Sequence, residues 1–282
     1  MRRREFLAHS AKAVAATFLA SKAMSLPSRF NGSDTVTLGK TGIQTSRLAM
    51  GTGTFGFGNH SHQTDQGVQT LSRLLLNGYE NGLRFFDTAD AYGSHPGVAE
   101  TLKHVKRDKV TVLTKSMSRD PKGMRADLDR FRRELGTDYI DVMLIHLVTD
   151  GDWTTRYRGI MDVLSEAKQK GIIRAHGVSC HSIAALRTAA RSEWVDLDLV
   201  RINPAGAQMD ADPDTVVSVM REFKKNGKAL VGMKILGAGA LRKRQDEAIK
   251  YALSLGLLDA FTIGAENKDE QMDLMRRIQA AA

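Results

Sequence analysis

Short apolar segments recur along the chain after residue 35: SRLAM, LRFF, VTVL, IDVMLI, RAHGVS, LDLVRI, ALVGMKI and AFTIG. Strands covered on both faces read as continuous apolar runs rather than alternating ones, so these eight segments predict buried parallel strands. Helical spacing fills the intervals at 66–78, 98–104, 124–136, 157–171, 182–191, 212–226 and 244–255, and again at 268–281 after the last strand. Gly136 and Gly171 stand where left-handed helix caps are expected. Eight strand–helix units predict an α/β fold, a (β/α)8 TIM barrel over residues 35–282. The stretch TVTLGKTGIQTS at 35–46 comes before the first unit. Its Gly39 and Gly42 turns predict an N-terminal β-hairpin capping the barrel bottom.

Such a barrel places its chemistry at the carboxyl ends of the strands. Four polar residues stand near strand ends: Asp87 and Tyr92 in LRFFDTADAYG, Lys115 in VTVLTKS and His146 in YIDVMLIH. An acid, a phenol, an amine and an imidazole that converge on one rim make a proton-transfer site. A phenol with an ordinary pKa of about 10 holds its proton too tightly to work in both directions. A nearby ammonium favours the phenolate, so Lys115 is expected to lower the pKa of Tyr92, with Asp87 holding Lys115 charged. His146 is expected to hydrogen-bond the substrate oxygen. Taken singly, the same residues read as a structural ion pair, a rim aromatic and a satisfied histidine.

Composition, with 42% hydrophobic and 26% charged residues, argues against both disorder and an integral membrane protein. The net charge of +9 is concentrated at the N-terminus: residues 1–23 hold Arg2, Arg3, Arg4, Lys12 and Lys22 against Glu5, which leaves about +5 for the rest. That balance suits anionic ligands and gives no pointer to nucleic acid. Cys180 is the only cysteine, so no intrachain disulfide forms and multi-thiolate metal sites are excluded. Residues 1–25 have a basic start, a short apolar stretch and small residues near 21–23. They read as a targeting segment too short to span a bilayer. Arg3-Arg4-Glu5-Phe6-Leu7 resembles the twin-arginine export signal of bacteria, implying the export machinery as a partner and a periplasmic or exported location. Residues 26–34 read as a linker.

The stretches TLGKTGIQTSRLAMGTGTFG, FFDTADAYG, LGTDYIDVMLIH, KGIIRAHGVS and IGAENKDEQMD, in that order, resemble the aldo-keto reductases. The resemblance covers roughly residues 36–275. It implies a barrel that binds NADP(H) or NAD(H) without a Rossmann domain and interconverts carbonyls and alcohols. It also implies a catalytic tetrad of Tyr92, Asp87, Lys115 and His146. GTGTFG matches a dinucleotide-binding fingerprint, but no helix follows it, so that reading is rejected.

The resemblance further implies cofactor contacts from Thr52, from Ser179 and Cys180, from the loop carrying Leu236, Gly237, Gly239 and Leu241, and from Gly264 and Lys268. Departures occur at Cys180, where the family usually has Asn, at Leu199, where Gln is common, and at Glu266. The family's habit favours NADP(H), and NAD(H) stays open. His60, His95 and Trp153 are expected at the substrate mouth, with a small carbonyl or sugar-like substrate and no metal. Export implies a tightly bound nucleotide loaded beforehand. A second reading is a nicotinamide-binding regulatory or sensor barrel with little turnover.

Overall fold

The computed structural model describes residues 30–281. The expected export signal at 1–25 lies outside them, as does the start of the linker. The last linker residues pack against the barrel: the Leu48 amide donates to the Gly32 carbonyl at 2.9 Å, and the Arg47 amide donates to that of Asp34 at 2.9 Å. Two short strands, β1 (Thr35–Thr37) and β2 (Gln44–Ser46), pair antiparallel as the predicted hairpin. Eight parallel strands follow and close on themselves: β3 (Leu48–Gly51), β4 (Phe85–Asp87), β5 (Thr111–Ser116), β6 (Ile140–Val148), β7 (Ile173–Cys180), β8 (Leu197–Arg201), β9 (Ala229–Met233) and β10 (Ala260–Gly264). Chain order is spatial order, with β10 pairing β3 to complete the barrel.

The helices pack outside. Short α1 (His62–Asp65) precedes α2 (Val68–Glu80); then come α3 (His95–Leu102), α4 (Pro121–Leu135), short α5 (Trp153–Arg156) and α6 (Arg158–Gln169). The series ends with α7 (Ile183–Arg191), α8 (Pro213–Lys225), α9 (Gln245–Ser254) and α10 (Lys268–Ala280). Their ends follow local chemistry. Asp120 caps α4 by accepting from the Gly123 amide, Pro121 opens it, and left-handed Gly136 closes it. Ser182, Asp212 and Asn267 cap α7, α8 and α10 in the same way. Spacing alone did not reveal α1 and α5, since a single turn has no periodicity to read.

Alternation along each strand splits the core in two. Ala49, Phe85, Leu113, Val142, Leu144, Ala175, Leu197, Leu199 and Val231 fill the barrel interior, and Leu38 and Ile43 of the hairpin join them. The Lys40 amide donates to the Gly227 carbonyl just before β9 starts, so the hairpin plugs the amino-terminal end as expected. The larger cluster, with Met143, Ile145, Phe131 and Phe223, lies between barrel and helices. Gly177 is required where β7 meets β8: a Cβ there would lie 1.8 Å from the Leu197 carbonyl oxygen.

Candidate active site

The inward-facing positions at the carboxyl end of the barrel carry Asp87, Lys115 and His146. Each follows an inward apolar residue two positions earlier: Phe85, Leu113 and Leu144. The Lys115 ammonium donates to Asp87 Oδ1 at 2.5 Å and to the Thr88 carbonyl at 2.8 Å. Thr262 donates its hydroxyl to Asp87 Oδ2 at 2.8 Å, so both carboxylate oxygens are held. Tyr92 ends a short 3-10 turn after β4 and bends back over the barrel. Its ring centre lies 4.8 Å from Lys115 Nζ and 5.8 Å from the His146 ring, edge-on to it. At that range the Lys115 ammonium attracts the charged form of the phenol.

The glycines of GTGTFG serve the phenol. A Cβ on Gly53 would stand 2.4 Å from Tyr92 Cε2, and one on Gly56 would stand 2.5 Å from Cδ1. The loop lies flat on the ring because neither residue has a side chain, and it is tied down where the Asn59 amide donates to the Ala91 carbonyl at 2.9 Å. Thr262 and this glycine bed are features of the candidate site that the sequence reading missed. The signal for Thr262 was a single polar residue in the apolar run AFTIG.

Burial decides the charge states. It pushes the Tyr92 phenol above its ordinary value, against the pull of Lys115, while Asp87 adds to the rise. The expected lowering by Lys115 is therefore present but outweighed. Burial also opposes the charge on Lys115, yet Asp87 and Tyr92 carry its pKa upward, so it stays an ammonium. His146 is held well below its usual range by burial and by the nearby cations Lys115, Arg119 and Lys234. It is neutral, and its buried Nδ1 has no hydrogen-bond partner. His181, whose ring is 6.2 Å from that of His146, is lowered to about 4 by burial and Arg201.

Several expected contacts fall elsewhere. Thr52 is fully buried, donating to the Asp87 carbonyl at 2.9 Å and bonded to Ser94 Oγ at 2.8 Å, so it braces the β4 exit. Cys180 alternates with Ser179 and faces outward into the helix-side core beside Asp198, away from any ligand in the barrel mouth. Leu199 sits within the barrel interior, and Arg201 takes the end of β8. His95 is 3% exposed, bonded by Nδ1 to Glu134 at 2.7 Å and by Nε2 to Thr114 at 2.8 Å. Trp153 is wholly buried, donating to the Ala185 carbonyl and packed edge-on to Trp194. Neither lines the mouth: they open α3 and α5, and their side chains bury within the helix layer. His60 is exposed on the loop beside Tyr92.

Ser179 points inward from β7 with a buried hydroxyl that has no partner, an orphan polar atom that fits a ligand amide. The loop after β9 carries left-handed residues at Lys234, Gly237, Ala238 and Gly239. It is closed by its own turns: the Gly237 amide donates to the Lys234 carbonyl, and those of Gly239 and Leu241 donate to the Leu236 carbonyl. The Leu241 side chain is buried. Gly264 lies under Thr54 and Gln63, 2.3 Å and 2.9 Å from a would-be Cβ. Lys268 is exposed in the first turn of α10, next to Asp269 and Glu270, while Glu266 bonds His62 Nδ1 at 2.7 Å.

The chain resembles known proteins along most of this barrel. It is 26% identical over 189 residues to the NADH-specific methylglyoxal reductase of Escherichia coli K12, covering 59% of this chain and 57% of that one. It is 25% identical over 231 residues to the NADPH-dependent codeinone reductase 1-2 of Papaver somniferum, covering 74% of this chain and 67% of that one. The matched stretch thus spans little more than half the length of the first relative. An aldo-keto reductase from Bacillus halodurans in its holo form superposes with a TM-score of 0.71 at 18% identity, over 87% of this chain and 90% of that one, which shows a shared fold. The Aldo/keto reductase family model matches residues 47–255, a span that contains Asp87, Tyr92, Lys115 and His146. The chain belongs to the aldo/keto reductase family.

Proposed function

We propose that the protein is a nicotinamide-dependent oxidoreductase that interconverts a carbonyl and an alcohol, with Tyr92 as proton donor and acceptor. The buried contact of Lys115 with both Asp87 and Tyr92 carries this reading. When bound, a nicotinamide would supply the hydride. Tyr92, neutral because it is buried, gives its phenolic proton to the carbonyl oxygen. The phenolate left behind is stabilised by the Lys115 ammonium, which Asp87 and Thr262 keep charged and in place. Neutral His146 donates an N–H to the same oxygen and orients it. Ser179 Oγ would hold the carboxamide of the cofactor, and Lys234 with the β9 exit would face its phosphates.

The family's habit favours NADP(H), but the charges around α10 favour NAD(H) here. A 2′-phosphate beside this helix start meets Glu266, Asp269 and Glu270, with Lys268 alone to offset them. The first relative named above is NADH-specific. We take the substrate to be a small carbonyl or sugar-like compound, in line with the methylglyoxal reductases among the relatives.

Assay of the wild type and Tyr92→Phe against a carbonyl panel tests this function. Turnover that falls by orders of magnitude in the variant, with nucleotide binding retained, is the expected result. A wild type that binds nucleotide but reduces nothing would favour the regulatory or sensor barrel instead.

The basic, twin-arginine N-terminus supports export to the periplasm with a nucleotide loaded beforehand and recycled on a second substrate. Protein purified from periplasm and then denatured should release stoichiometric nucleotide. Its absence would sink that part of the reading.

A further inference from the structure

We infer that the substrate carries an anionic group, a carboxylate or a phosphate, which Arg119 holds beside the reacting carbonyl. The inference rests on the carbonyl reduction proposed above. Four cationic side chains act on the His146–His181 pair: Lys115, Arg119, Arg201 and Lys234. Asp87 neutralises Lys115, and Asp210 neutralises Arg201. Among the described residues, neither Arg119 nor Lys234 has a carboxylate partner.

Arg119 is nonetheless fixed. Its Nη2 donates to the His146 carbonyl at 2.5 Å and to that of Leu147 at 3.4 Å, and its Nη1 donates to Met117 and Ser118 carbonyls at 3.1 and 3.2 Å. The guanidinium lies 5.3 Å from the centre of the Tyr157 ring. These carbonyls orient the group without cancelling its charge, and the residue is only half-exposed. A positioned, unneutralised cation at the strand end bearing His146 favours an anion nearby.

The two unpaired cations serve different ligands. Arg119 follows β5 and Lys234 follows β9, which stand four strands apart in the closed eight-stranded barrel and so on opposite sides of the mouth. Lys234 stands at the start of the β9 exit loop, the side assigned to the nucleotide phosphates. That leaves Arg119 to face the substrate. Both Nη groups are occupied by backbone carbonyls, so Arg119 meets an anion through its charge and its Nε–H, which suit a carboxylate or a phosphate alike.

The test is a comparison of matched pairs with NADH: butanal against 4-oxobutanoate, and glyceraldehyde against glyceraldehyde 3-phosphate. The anionic member should be preferred by about tenfold or more in kcat/KM, chiefly through KM, as one charge-assisted contact supplies. The preference should shrink as salt rises. The pair showing the larger preference separates carboxylate from phosphate. Arg119→Met should bring the anionic-to-neutral ratio toward one, a ratio in which any general loss of active protein cancels. Lys234→Met should weaken nucleotide binding and leave the ratio in place. A neutral preference, or a ratio unmoved in Arg119→Met, overturns the inference while the carbonyl reduction stands. Reduction of no member of either pair by the wild type overturns both.

Discussion

Gly53 lies so close beneath Tyr92 that a Cβ would come within 2.4 Å of the ring. Tyr92, the proposed proton donor, is therefore positioned by an absent side chain as much as by Lys115. Gly53→Ala should push the phenol off its place and lower kcat by about a hundredfold, the scale on which small misplacements act. Overpacking should cost stability only on the order of 1–3 kcal/mol. Nucleotide affinity should change little, because Ser179 and Lys234 lie on other strands. Steady-state kinetics alongside nucleotide titration checks this; an Ala variant with wild-type kcat would show that the ring is not held by the glycine bed.

The charge states make a prediction about pH. Burial raises the Tyr92 pKa above 10.0, so the neutral, proton-donating form persists through neutral pH and is lost only on the alkaline side of that value. His146 is shifted well below 6.5, so it gains a proton only on the acid side of that value. The kcat/KM profile for reduction, which reports the free enzyme, should be level across the physiological range. An inflection between pH 6 and 7 that disappears in His146→Asn would contradict the neutral imidazole.

Glu266 and His62 join the start of α1 to the segment just before α10 through a 2.7 Å contact. If the acids there exclude a 2′-phosphate, wild-type protein should bind NADH more tightly than NADPH. Glu266→Lys should then improve NADPH binding by about tenfold, roughly 1.4 kcal/mol, and barely alter NADH. Fluorescence titration of both nucleotides measures this, and a wild type that prefers NADPH would remove the acidic start of α10 as a selectivity element.

Asp198 is buried on the outer face of β8, both carboxylate oxygens lacking hydrogen-bond partners. Burial raises its pKa to about 7 from an ordinary 3.8. Between those values the folded chain keeps a proton that the unfolded chain has released. Stability should thus fall as pH rises from about 4 to about 7 and then level off, by an amount on the order of 4 kcal/mol at most. Asp198→Asn should flatten this dependence, matching wild type near pH 4 and exceeding it at pH 8. Urea unfolding at the two pH values decides; equal curves for both proteins at pH 8 would mean that the carboxylate is solvated or paired in solution.

The chain's local patterns determined the barrel, its hairpin plug and the strand ends bearing Asp87, Lys115 and His146. Apolar runs, caps and glycine stops act over a few residues, so they are written contiguously, and alternation along β4, β5 and β6 already aims three of the four groups inward. Which face a loop or helix residue buries depends on partners distant in sequence. Closure of the barrel therefore decided that His95 and Trp153 belong to the helix layer, that Cys180 faces away from Ser179, and that Gly53 lies under Tyr92. It also decided the sign of the Tyr92 shift. The attraction of Lys115 was legible from residue types, but the larger effect of burial exists only once the packed chain surrounds the phenol. The same closure set the unneutralised Arg119 beside His146, a relation between residues 27 positions apart that no local pattern records.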